Sequence, residues 1–113
     1  MKAHHKLKVW QRSIDFVTEI YKLTEKFPKS ELYGLTNQGR RAAVSIPSNL
    51  AEGAGRISKK EFKRFLSISQ GSVAELETQL IIAEKLGYCS GIDNLYSELD
   101  EISKMIIGLI KSL

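Results

Sequence analysis

The sequence is short of the usual catalytic materials. Histidine occurs only at His4 and His5, cysteine only at Cys89, and proline only at Pro28 and Pro47. One cysteine cannot close an internal disulfide, so a disulfide scaffold is excluded and a soluble cytoplasmic protein is the simplest reading. Cys89 has no histidine near it in sequence and reads as an inert thiol. Adjacent histidines point apart on a helix and do not converge on one ion, so no metal site is expected. The Glu-x-x-His pairs that di-iron bundles place on facing helices do not occur. Gly53 and Gly55 precede a helix but fit neither a phosphate loop nor a dinucleotide fingerprint. No enzymatic activity and no cofactor are expected. No apolar run is long enough to cross a bilayer, so no membrane association is expected. Lys2, Lys6 and Lys8 are not followed by the apolar segment that a signal peptide needs.

What remains is a helical composition. The 113 residues suit one domain, 1–113; 42% are hydrophobic and 27% charged, which is globular rather than disordered. Few breakers and many Leu, Ile, Glu and Lys favour helices. Charge is uneven. Residues 1–64 carry 14 Lys or Arg against 6 Asp or Glu, whereas residues 65–113 carry 3 against 7. The basic half could attract a polyanion, or be neutralised by the acidic half of the same chain or of another subunit.

Apolar spacing predicts four helices. The first runs over Leu7 to Lys26, with Trp10, Ile14, Val17 and Tyr21 in one stripe and Phe16, Ile20, Leu23 and Phe27 beside it. Pro28 ends it, and Ser30 offers a cap for the second. The second carries Leu32, Leu35, Ala42, Ala43, Ile46 and Leu50 toward a core, with a kink expected at Pro47. The third opens on a capping box, Ser58 to Glu61, and stops at Leu86, Gly87 and Tyr88. The fourth repeats Ile92, Leu95, Leu99, Ile102, Ile106, Leu109 and Leu113 in alternating steps of three and four, a seam for left-handed packing. Tyr96 and Ile107 fall outside that seam and suggest a surface for self-association. Short connections give an antiparallel up-down-up-down four-helix bundle. The alternative is a pair of helical hairpins exchanged between subunits.

Two sets of polar residues could carry function. On the second helix, Gln38, Arg41, Ser45, Asn49 and Glu52 accompany the apolar stripe, with Arg40 beside them. Ser45, Arg41 and Glu52 recur at helical steps, so this face has a neighbour of its own. Arg41 is expected to pair with Glu75 or Glu77, because a charge held there needs a partner; nucleic-acid contact is the competing reading. The second set is Arg56, Lys59, Lys60, Lys63 and Arg64, at the start of the third helix. Cations there oppose the helix dipole, so phosphate binding is a candidate use and a solvated face the plain one. Lys2, Lys6, Lys8 and Arg12 could extend that patch. Without an RNA-recognition aromatic motif or a zinc finger, any binding should be to backbone phosphates.

The string Tyr33, Gly34, Leu35, Gln38, Arg40, Arg41, Ala42, Ser45, Ile46, Pro47, Asn49, Ala51, Glu52, Gly53 resembles the hallmark of the family named after 23S ribosomal RNA intervening sequences. Glu61, Phe62, Arg64, Phe65, Leu66, Gly71, Ser72, the run Glu75 to Leu80, and Leu86, Gly87, Tyr88 continue the resemblance. Gly39 departs, standing where the family more often has a larger apolar residue. The resemblance implies a four-helix protomer in a ring-like homopentamer, encoded within inserted segments of bacterial 23S rRNA genes or elsewhere in bacterial genomes, with no enzymatic activity. A related branch is similar to the accessory protein of diversity-generating retroelements, which associates with nucleic acid and a reverse transcriptase. The functional expectation is therefore a non-enzymatic oligomeric protein that binds RNA or DNA, or is ribonucleoprotein-associated. The alternative is an oligomeric scaffold for another protein, such as a reverse transcriptase or ribosomal component, without nucleic-acid contact.

Overall fold

The apolar stripes become the buried faces of four helices. The structure is a computed structural model that describes residues 2–113. Among those residues stand α1 (Lys8–Thr24), α2 (Asn37–Ala54), α3 (Lys59–Lys85) and α4 (Asp93–Ser112), with no strand. α2 is central: it packs on α3 along much of its length and on α1 at its other side, and α4 lies against α3 and α1. α3 has 27 residues, so it is about 40 Å long and accounts for the 43 Å long axis of the molecule.

One contiguous core draws on all four helices. Phe16 and Ile20 of α1 meet Ile46 and Leu50 of α2, Leu66 and Leu76 of α3, and Leu99, Ile102 and Ile106 of α4. Each such side chain, fully buried, contributes about 1.5–3 kcal/mol from desolvation. The α4 seam is as expected: Ile92, Leu95, Leu99, Ile102 and Ile106 are buried, and Leu109 and Leu113 half-buried. On α1 Val9, Phe16 and Ile20 enter the core, Trp10, Val17 and Leu23 pack half-buried against it, and Phe27 is buried just beyond the helix; Ile14 and Tyr21 stay exposed.

α2 and α3 approach closely because small residues line their contact. Ala42 and Ala43 are buried, and the Ser69 hydroxyl donates to the Ile46 carbonyl at 3.0 Å. Gly53 is the tightest point: a Cβ there would lie 2.7 Å from Phe65 Cβ and 3.0 Å from Phe62 Cδ1.

Several helix ends differ from expectation for identifiable reasons. Non-helical torsions fall at Gly34 (φ −109°, ψ −117°), before α2, and not at Pro47, through which α2 runs on. Gly34 lacks the Cβ that would collide with the Glu31 carboxylate. That carboxylate, rather than Ser30, caps the segment by accepting from the Leu35 amide at 3.1 Å. It also accepts from the Tyr88 hydroxyl at 2.9 Å, tying the α1–α2 connection to the end of α3. At the α3 start Ser58 accepts from the Glu61 amide at 3.1 Å, while the Glu61 side chain turns to Arg64. The α3 stop is a Schellman motif. Gly87 takes φ +80°, its amide donates to Glu84, and the Tyr88 amide donates to Ala83 at 2.9 Å. Tyr96 is not spare surface: it is half-buried, and its hydroxyl donates to Glu84 at 2.7 Å. Ile107 remains exposed. No helix is long and apolar enough to cross a membrane among the described residues.

Candidate nucleic-acid interface

The chain turns from α2 into α3 through Gly55, Arg56, Ile57 and Ser58, and five cations gather there. Arg56, Lys59, Lys60, Lys63 and Arg64 are all exposed. Gly53 lets the two helices meet closely, which leaves the buried Phe65 ring just beneath the turn. Both arginines lie over that ring, with the Arg56 guanidinium 4.9 Å and the Arg64 guanidinium 4.7 Å from its centroid. Each is also paired, Arg56 with Glu52 at 2.8 Å and Arg64 with Glu61 at 3.2 Å. Among the described residues, Lys59, Lys60 and Lys63 form no ion pair. The bundle end therefore presents two ordered guanidinium planes and three free ammonium groups. Ser58 orders the turn, since its hydroxyl holds the first turn of α3.

The N-terminal segment lies at the same end. His4 and Trp10 share an apolar groove of about 380 Å³ with Ile14, Val17, Val44, Pro47 and Ala51. The His4 and His5 rings pack against Trp10, at 4.8 and 5.3 Å between centroids. Lys2, Lys6 and Lys8 of this segment are exposed. Arg12 does not extend it: the Glu98 carboxylate takes its guanidinium in a two-pronged pair at 2.5 and 2.9 Å, joining α1 to α4.

The polar residues of α2 divide into three groups. Ser45 and Asn49 turn toward α3: the Ser45 and Ser72 hydroxyls are 2.8 Å apart, and the Asn49 amide donates to the Ser45 carbonyl at 2.8 Å and hydroxyl at 2.9 Å. Arg40 turns toward α1. Its Nε donates to Thr24 Oγ1 at 2.9 Å, its Nη2 approaches the Tyr21 carbonyl and Glu25, and its guanidinium lies 4.6 Å from the Tyr21 ring centroid. Gln38, Arg41 and Glu52 face outward. The expected pairing of Arg41 with Glu75 or Glu77 is absent; among the described residues Arg41 has no ion pair, although it shares a shallow cleft with Gln38, Ser45 and Glu75. The paired arginine is its neighbour, and the acid, Glu25, stands at the C-cap of α1, not on α3. One step along a helix turns the side chain by roughly 100°, which sends Arg40 and Arg41 to different surroundings.

Partners such as Tyr21, Thr24 and Glu25 carry no signal in sequence, because they become neighbours of Arg40 only when α1 packs on α2. Ile57 was also missed, and it did have a signal. It is an isoleucine amid cations, between a helix stop and a helix cap, and its side chain is fully exposed at 106%. Cys89 is half-buried, and burial pushes its thiol above the ordinary range, in keeping with an inert role. Among curated proteins none matches this chain. Residues 5–108 match the family described as 23S rRNA-intervening sequence protein, and the chain belongs to that family.

Proposed function

We propose that this is a non-enzymatic, oligomeric nucleic-acid-binding protein that works on RNA or within a ribonucleoprotein. The observation that carries the reading is the α2–α3 turn, where Lys59, Lys60 and Lys63 stand exposed and unpaired beside Arg56 and Arg64. Ammonium groups held this way meet phosphates without first breaking an ion pair. The family's name, which ties it to 23S rRNA, supports RNA over other polyanions. On this reading the up-down-up-down bundle assembles as a cyclic homo-oligomer, a pentamer by family resemblance, in the bacterial cytoplasm. The α1–α2 groove with exposed Ile14 and Val44 is the apolar face available for that assembly. A ring repeats the cation cluster around a rim and raises a modest affinity by avidity. A reverse transcriptase or ribosomal component would join through the bound nucleic acid.

A salt titration tests this. Contact with Z phosphates gives a log–log slope of about −0.9Z on a duplex or about −0.7Z on a single strand. Replacing Lys59, Lys60 and Lys63 together with glutamine should leave folding and oligomer intact, since exposed charges contribute little stability. It should weaken binding to all sequences alike and flatten the slope by about 2–3. Equal binding by parent and triple variant across the salt range would return the cluster to a solvated face. The scaffold reading would then lead.

A further inference from the structure

We infer that Ile57 is an apolar wedge at the centre of the cation cluster, and that the ligand it fits is nucleic acid with an unstacked step, such as a bulge or junction. The inference rests on the nucleic-acid reading above and sharpens it. Ile57 is the most exposed large hydrophobic residue of the described chain, at 106%, while neighbouring Phe65 is only 8% exposed. It stands between Arg56 and the Ser58 cap, in the exposed turn from α2 to α3, with Lys59, Lys60, Lys63 and Arg64 on the helix that follows. Nothing in the protomer covers it. An isolated exposed isoleucine is ordinary. One followed and preceded in the chain by five exposed cations is differently placed, because those cations bring a phosphate backbone to its side.

Cations carry no base information, and phosphate contacts alone treat a duplex and a distorted strand alike. An aliphatic side chain delivered to the same surface changes that. Aliphatic wedges enter nucleic acid between base steps, and the cost is the unstacking of the step. A regular A-form helix charges that cost in full, and its deep, narrow major groove does not admit side chains. A bulge or junction has already lost the stacking, so insertion there gains the burial of the isoleucine at little cost. The arrangement has no aromatic platform on which successive bases could stack, which argues against a general single-strand binder. A bilayer surface would also attract lysines and an isoleucine, but a single aliphatic side chain inserts weakly, and Glu52 and Glu61 sit within the same cluster.

The test compares two labelled RNA hairpins of equal length, one fully paired and one with a single-nucleotide bulge flanked by 2-aminopurine. The parent should bind the bulged hairpin about tenfold more tightly, the equivalent of half-burying an isoleucine. Binding should raise the 2-aminopurine fluorescence. Ile57→Ser should lose both the preference and the fluorescence change, yet keep the affinity and salt slope on the paired hairpin. Ile57→Leu should restore both. Melting temperature and light scattering should be the same for all three, since the side chain makes no internal contact. If Ile57→Ser keeps the tenfold preference, or the parent shows none while still binding RNA, the wedge is refuted and the phosphate patch stands. If the parent binds neither hairpin at low salt but binds anionic phosphatidylglycerol vesicles through Ile57, both readings fall.

Discussion

Adjacent arginines on α2 should contribute very unequally to stability, and the size of the difference can be worked out. Arg40 is about four-fifths buried at its side chain, 21% exposed, and donates to the hydroxyl of Thr24, itself 3% exposed. A hydrogen bond from a charged donor to a buried acceptor is worth about 1.5–3 kcal/mol. The stack on Tyr21 adds about 0.5–1 kcal/mol. The Glu25 pair adds little, because that carboxylate is 81% exposed and screened by solvent. These terms overlap, so Arg40→Ala should cost about 2–3 kcal/mol. Unfolding entropy of about 2.1 cal/mol/K per residue, over 113 residues, converts this to a fall of about 8–13 °C in melting temperature. Arg41→Ala, exposed and unpaired, should stay within about 0.5 kcal/mol, or about 2 °C. Arg40→Lys should recover less than half, because an ammonium cannot reach Thr24 and stack on Tyr21 at once. Calorimetry at one fixed protein concentration is the assay, since an oligomer's melting point moves with concentration. If Arg41→Ala destabilises as much as Arg40→Ala, Arg41 has a partner outside the protomer. If Arg40→Ala is neutral, the anchoring of α1 to α2 described above is wrong.

Gly53→Ala should destabilise by about 1–3 kcal/mol, because its methyl meets Phe65 Cβ at 2.7 Å and the helices must part; an unchanged urea midpoint would contradict that. The Leu35 amide and then the Tyr88 hydroxyl hold the Glu31 carboxyl below the usual carboxylate range. Its contribution is therefore complete above the ordinary pKa and disappears as pH falls through the lowered folded value. Urea titrations of parent and Tyr88→Phe at successive pH values should show a gap near neutrality that narrows in acid; a gap that widens in acid would reverse the sign.

How much of this was legible in sequence depended on how local each cause is. The α4 seam, the Ser58 cap and the Gly87 stop follow from spacing and single-residue chemistry, and they stand where expected. The cation cluster could be found because its members are close in the chain. Arg40 and Arg41 could not be told apart, because their fates depend on Thr24 and Glu25, which reach α2 only through tertiary packing. Tyr96 misled for the same reason: its distance from the seam is real, but Glu84 covers it. Pro47 misled in another way, since the irregularity of that stretch went to Gly34, where the Glu31 carboxylate needs space. Gly39 shows both kinds of knowledge meeting. The sequence marks it as a departure that loosens a helix, and the structure adds that it is buried yet, beyond its chain neighbours and its own helix backbone, no atom lies within 4 Å of where a Cβ would sit. An alanine there has helix propensity to gain and nothing to strike. Gly39→Ala should therefore stabilise the protein by up to about 1 kcal/mol, a rise of up to about 4 °C. A fall in melting temperature would mean that another surface occupies that space, and the assembly of this chain would have to be sought along α2.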